Sequence, residues 1–219
     1  MNYPANYGEN GKTNKRVLTV VGEGIVTTEP NIAEVSLGVV RQGQELMLVQ
    51  QENAEIIQQV ISVIMMYGIP MENIPTIEYT VRPVYEYVDG EQQFHGYEVM
   101  HFLRIIISDI SQVGSIIDAA VASGANQIMN INFSVAELDQ YYREGLRRAL
   151  RDATLKAETL ASAINANLDL TPIKISEQIE APPIIYRTFA QTEATGETPI
   201  EPGQLEIQVR IEAKFQYEK

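Results

Sequence analysis

Between residues 205 and 217 apolar and polar side chains alternate without a break. Leu205, Ile207, Val209, Ile211, Ala213, Phe215 and Tyr217 fall on one side, and Glu206, Gln208, Arg210, Glu212, Lys214 and Gln216 on the other. A period of two is a strand period; a helix, with its period of 3.6, would scatter the same residues around its axis. One face of this strand meets a core and the other meets water. That is the pattern of an antiparallel sheet, because parallel strands are buried on both faces. The rest of the chain has to supply this strand with neighbours and a cover.

Candidates for both roles follow from the patterning upstream. A strand over 17–28 turns at Glu29-Pro30-Asn31 into a second, whose Ala33, Val35, Leu37 and Val39 share a face, and the pair reads as a hairpin. Residues 44–67 carry Leu46, Val49, Ile56, Ile57, Val60, Ile61 and Ile64 at helical spacing, stopped by Gly68 and Pro70. Ile77, Tyr79, Val81, Tyr85 and Tyr87 alternate with polar residues in a half-buried strand, which Pro83 pushes towards a sheet edge or a bulge. Asp89-Gly90 turns into a strand over 94–108. A short helix over 113–123, a strand over 128–135 and a long helix over 137–164 come next. The long helix has Leu138, Tyr142, Leu146, Ala149, Leu150, Ala153, Ala157, Leu160 and Ile164 as its stripe, and its small members admit close approach of another element. A strand over 171–179 precedes the final one. The order β-β-α-β-β-α-β-α-β-β has hairpins where a doubly wound fold has crossovers, so the class is α+β, with long amphipathic helices packed on a mostly antiparallel sheet.

Two segments stand outside this frame. Residues 1–15 contain almost no aliphatic side chains and read as a flexible N-terminal arm ahead of one domain over 16–219. Residues 181–204, rich in proline, threonine and glutamate, are longer than an ordinary connection and read as an extended loop or arm.

Chemistry is sparse. Gly22-Glu23-Gly24 behind an apolar strand looks like the start of a phosphate-cradling loop, yet the third position of G-x-G-x-x-G is Thr27, and β-branched residues then Pro30 follow instead of a helix. The two glycines read instead as a bulge or a close backbone approach. No cysteine is present, which removes thiolate catalysis, disulfides and Cys-ligated metals. His95 and His101 lie six apart on one strand, roughly 20 Å at about 3.3 Å per residue, too far to share a metal. Ser115 and Ser123 fit no nucleophile elbow. The reading is therefore no catalytic residue, no metal and no cofactor. The net charge of −13 opposes nucleic acid and anionic membranes. Apolar runs such as Ile105-Ile106-Ile107 are too short for direct membrane insertion.

Two groupings remain as contact candidates. Arg143, Arg147 and Arg151 repeat at i, i+4 and i+8 along one helix face, suited to an anionic ligand or the acidic surface of a neighbouring subunit, or simply to a solvated face with i, i+4 ion pairs. Tyr85 and Tyr87, with Tyr79 and Tyr97, belong to an aromatic strand suited more to core or interface packing than to a ligand box.

Taken in order, V-x-G-x-G, E-P-N-x-A-E-V, I-P-T, H-G-Y-E-V, G-A-N-x-I leading to I-N-F, A-L-R-D-A-T-x-K-A-E-x-L-A and P-G make the chain resemble the SIMPL domain family, the YggE-like bacterial proteins, over about 17–215. The resemblance implies an α+β fold, ring-like or channel-like homo-oligomers in some members, and indirect links to the envelope or to oxidative stress. It carries over no catalytic residue. The chain has Glu29-Pro30-Asn31 where relatives commonly have Pro-Asp wording, and His101 where they commonly have Asn. Many relatives are exported; the polar start MNYPANYGENGKTNKR lacks a signal-like apolar stretch, so the expectation is a cytoplasmic chain. The leading expectation is a non-enzymatic protein that works as a homo-oligomer through the 181–204 arm and exposed strand edges. The alternative is a binding module for a small anionic ligand or peptide.

Overall fold

The alternation is realised from Leu205 to Phe215, with Tyr217 only half-buried, in the computed structural model, which describes residues 16–178, 185–187, 198 and 200–218. Leu205, Ile207, Val209, Ile211, Ala213 and Phe215 are at most 3% exposed, and the intervening residues face solvent in part. The arm expected over 1–15 lies outside the described residues, as does most of 181–204.

In chain order the elements are β1 (Arg16–Thr28), β2 (Ile32–Gly43), α1 (Leu46–Met66), β3 (Thr76–Val88), β4 (Glu91–Ile107), α2 (Val113–Ala122), β5 (Gln127–Ser134), α3 (Leu138–Ala163), β6 (Asn167–Leu168), β7 (Lys174–Gln178), β8 (Ile185–Arg187) and β9 (Gln204–Glu218). Short 3-10 turns stand at Met71–Asn73 and Ile110–Gln112. This is the α+β order expected, with β6 and β8 added. Where the sequence reads as one domain, the elements gather into two compact units, each around its own sheet: Met1–Thr27, Asp139–Ile185 and Glu206–Lys219 in the first, Thr28–Leu138 and Tyr186–Leu205 in the second.

In the first unit β9 is the hub. β1, β6 and β7 pair with it, β7 antiparallel from Lys174↔Lys214 to Gln178↔Arg210. α3 covers the sheet, and Val20, Ile211, Ala213 and Phe215 pack against Ala149, Ala153 and Ala157. The buried stripe of α3 differs from the expected one: it is Gly145, Ala149, Ala153, Ala157 and Ala161, an i+4 ladder of small residues, while Leu160 and Ile164 are exposed. The cause is on β1. A Cβ on Gly22 would overlap the carbonyl oxygen of Ala149, and one on Gly24 that of Gly145, so helix and strand backbones touch and no leucine fits between them. The glycine pair is thus the close approach that its sequence suggests.

In the second unit the strand order is β3-β4-β2-β5, antiparallel throughout. Ala33, Val35, Leu37 and Val39 of β2 and Leu103, Ile105 and Ile107 of β4 pack with Ile57, Val60 and Ile64 of α1 and Ile116, Ile117 and Ala120 of α2. The β1–β2 hairpin is not formed: β1 pairs with β9, and β2 with β4 and β5. Pro30 has no N–H to continue a ladder, and Asn31 is taken up by the end of β5, its N–H donating to Ser134 O at 3.0 Å and its side-chain oxygen accepting from Ala136 N at 2.8 Å. β3 differs too. Expected half-buried, it is mostly exposed, because it is the outermost strand; Ile77 is an extra residue in its register, and a second shift follows Val84.

Candidate interaction surfaces

Within the first unit α3 carries two rows of charge. Arg143, Arg147 and Arg151 are exposed, as their spacing predicts. Arg147 lies 3.4 Å from Glu144; Arg143 and Arg151 form no ion pair among the described residues. One step round the helix, Arg148, Asp152 and Lys156 do something that their sequence spacing does not announce. Arg148 donates to Ile25 O at 2.7 Å, Asp152 accepts from Glu23 N at 2.9 Å, and Lys156 donates to Val21 O at 3.0 Å. Residues 21, 23 and 25 present their backbone groups on one strand edge. Three side chains of a helix thus take the places that a neighbouring strand would take, the plus-minus-plus order of the row matching carbonyl, amide, carbonyl. Burial alone would raise the Asp152 carboxyl; the Lys156 ammonium at 2.7 Å and the Glu23 amide outweigh it and hold the group below the usual range. Arg148 also pairs with Glu144, and Arg210 with Glu23. The signal that sequence reasoning missed is the alternation of sign at i, i+4 and i+8, read there only as helix ion pairs.

In the second unit the β3–β4 hairpin carries the aromatic side chains. Tyr85 meets Phe94 edge-on at 5.9 Å between ring centres, and Phe94 meets Tyr97 at 5.1 Å. Tyr87 is 73% exposed. Tyr85 and Tyr87 therefore sit in solvent and not in a core. Below them Tyr79 stands edge-on to His101 at 5.3 Å, and His101 Nε2 lies 3.0 Å from Thr76 Oγ1; burial lowers the His101 pKa. His95, an extra residue of β4 beside Gly96, approaches Glu86 at 3.3 Å. On the same hairpin Glu98 is buried. The Gln42 amide is the main reason its pKa is lowered; burial opposes this, and Arg82, at 2.6 Å, adds to it.

Two asparagines, one from the G-A-N-x-I motif and one from α1, bond to the backbone of β2. Asn126 donates to Val40 O at 2.8 Å and accepts from Val40 N at 2.9 Å, standing in for a residue of the neighbouring strand. Asn53, buried in α1, donates to Val39 O and Val99 O. Among the described residues no three His, Asp or Glu side chains come together to hold a metal, and no helix is long and apolar enough to cross a membrane. An apolar open groove of about 390 Å³ is lined by Val20, Val21, Leu155, Lys156, Thr159 and Leu160.

Fold and surfaces together define an α+β protein of antiparallel sheets. Residues 18–215 match the model of SIMPL, described as a protein family of unknown function (DUF541), and the chain belongs to that family. It is similar to a protein of Brucella melitensis named "26 kDa periplasmic immunogenic protein", 28% identical over 97% of this chain and 90% of that one. It is also similar to a protein of Escherichia coli K12 named "Uncharacterized protein YggE", 23% identical over 69% of this chain and 61% of that one.

Proposed function

We propose that the protein is non-enzymatic and works by assembling with copies of itself. The observation that carries this is β3: the outermost strand of its sheet, it leaves Ile77, Tyr79, Tyr85 and Tyr87 in solvent, and tyrosines on an unpaired edge are the material of interfaces. The 181–204 arm is the second element we assign to assembly. The acidic charge argues for a protein partner over nucleic acid, and a bilayer-inserted role finds no support. The name of the Brucella relative supports a periplasmic setting in place of the cytoplasmic expectation; fractionation of the native host tests it.

Native mass by light scattering on a sizing column is the deciding measurement. The full-length chain is expected as a discrete oligomer, and Tyr85→Ser with Tyr87→Ser, both at exposed positions, is expected to shift the mass towards the monomer. A monomeric full-length chain overturns the reading.

A second reading rests on Arg143 and Arg151, exposed and without an ion pair among the described residues: a binding face for a small anionic ligand or an acidic peptide. A panel of anionic metabolites is expected to raise the melting temperature of the wild type and not of the triple Arg→Gln variant. Equal shifts in both would remove this face from consideration.

A further inference from the structure

Methionine is ordinarily a core residue. Here Met47, Met65, Met66, Met71 and Met129 are exposed, five of the six described, and all lie in the second unit. Three of them follow closely along the chain where α1 ends and the next turn begins: Met65 is 46% exposed, Met66 82% and Met71 56%, with Tyr67 37% exposed between them. A flexible thioether adapts its shape to varied apolar partners, so a group of them in solvent is surface suited to contact.

The electrostatics of the same place select the partner. Along the chain from Gln42 to Val81 there is no lysine, arginine or histidine; of the five glutamates there, Glu72 stands just beyond the end of α1, and the basic residue on the adjoining strand is Arg104, whose backbone N–H donates to Pro75 O at 2.9 Å. The second unit as a whole has seventeen acidic and four basic side chains, so it holds all of the net −13. The C-terminal end of α1 adds its own field. Tyr67 N and Gly68 N take up the carbonyls of Ile64 and Met65, and no basic side chain stands in the last turn to meet the negative end of the helix dipole. Thioethers beside an uncompensated helix C-terminus favour apolar side chains flanked by cations.

We propose that the surface formed by Met65, Met66, Tyr67 and Met71 docks a basic amphipathic segment of another protein, whose apolar face covers the methionines and whose lysine or arginine meets the end of α1. The apolar contact sets which surface is used, and the acidic surroundings speed encounter. This docking is separate from the self-assembly proposed above and does not require it.

The probe is a synthetic amphipathic peptide of leucine and lysine, titrated by calorimetry against the full-length chain, beside a control with every lysine replaced by glutamate. Wild type is expected to bind the cationic peptide, more weakly as salt rises, and to ignore the anionic one. The variant Met65→Gln, Met66→Gln, Met71→Gln changes exposed side chains only and is expected to melt as wild type does, yet bind about tenfold more weakly. Met66→Lys is expected to weaken binding also. Unchanged affinity in both variants would reduce the interaction to diffuse charge attraction and overturn the proposal, as would equal binding of the two peptides or none.

Discussion

At the scale of single residues, two positions concentrate the constraints. A methyl group on Gly22 or Gly24 has no room against the α3 backbone, and neither backbone can retreat without opening the alanine ladder. Gly22→Ala and Gly24→Ala are each expected to cost about 2–3 kcal/mol in urea unfolding; a cost below about 0.5 kcal/mol would mean that the contact is looser than described. Glu98 makes the other prediction. Its folded pKa lies below the unfolded value of about 4.3, so the unfolded chain takes up the proton first. The stability it supplies is complete above that value and drains as pH falls through the folded pKa. Glu98→Gln is expected to lose about 1 kcal/mol at neutral pH and to show a flatter decline of unfolding free energy between about pH 5 and pH 3. Parallel curves for variant and wild type would remove Glu98 from the acid response.

At the scale of elements, the inward faces of β2 and β9 and the β3–β4 turn at Asp89-Gly90 were legible in the sequence; the exposure of β3 and the partner of β1 were not. The alternation in β9 and the four inward residues of β2 named their buried side correctly, because burial is local to a strand's own pleat. That β1 pairs with β9, nearly the whole chain away, leaves no trace in the residues around Pro30, so proximity suggested a hairpin that does not exist. The stripe of α3 was half legible: Ala149, Ala153 and Ala157 belong to it, but the choice of alanines over Leu160 and Ile164 was made by glycines on another element. The same distance hid the row that covers the β1 edge; of the candidate surfaces, the exposure of Arg143, Arg147 and Arg151 was legible and the role of Arg148, Asp152 and Lys156 was not. That row predicts a local effect. Asp152→Ala removes the partner of the Glu23 amide, and faster hydrogen exchange at Glu23 is expected ahead of any large change in melting temperature. Unaltered exchange there would mean that the carboxylate does not guard the edge.

At the scale of the whole molecule, charge is shared unequally: the first unit has twelve acidic and twelve basic side chains, the second all of the excess. Self-repulsion within the second unit is expected to ease as salt screens it, so the melting temperature is expected to rise by a few degrees from low to physiological ionic strength. A flat or falling dependence would mean that specific ion pairs outweigh the repulsion. Finally, β9 follows every strand that it joins. As the ribosome delivers the polypeptide, the first strand emerges early and waits, unpaired, through nearly the entire translation before its partner arrives. The helix side chains that line its edge also come late, from residue 148 onward. The nascent protein therefore spends most of its synthesis with that strand open to wrong partners, which makes it the segment where a folding chaperone would be needed.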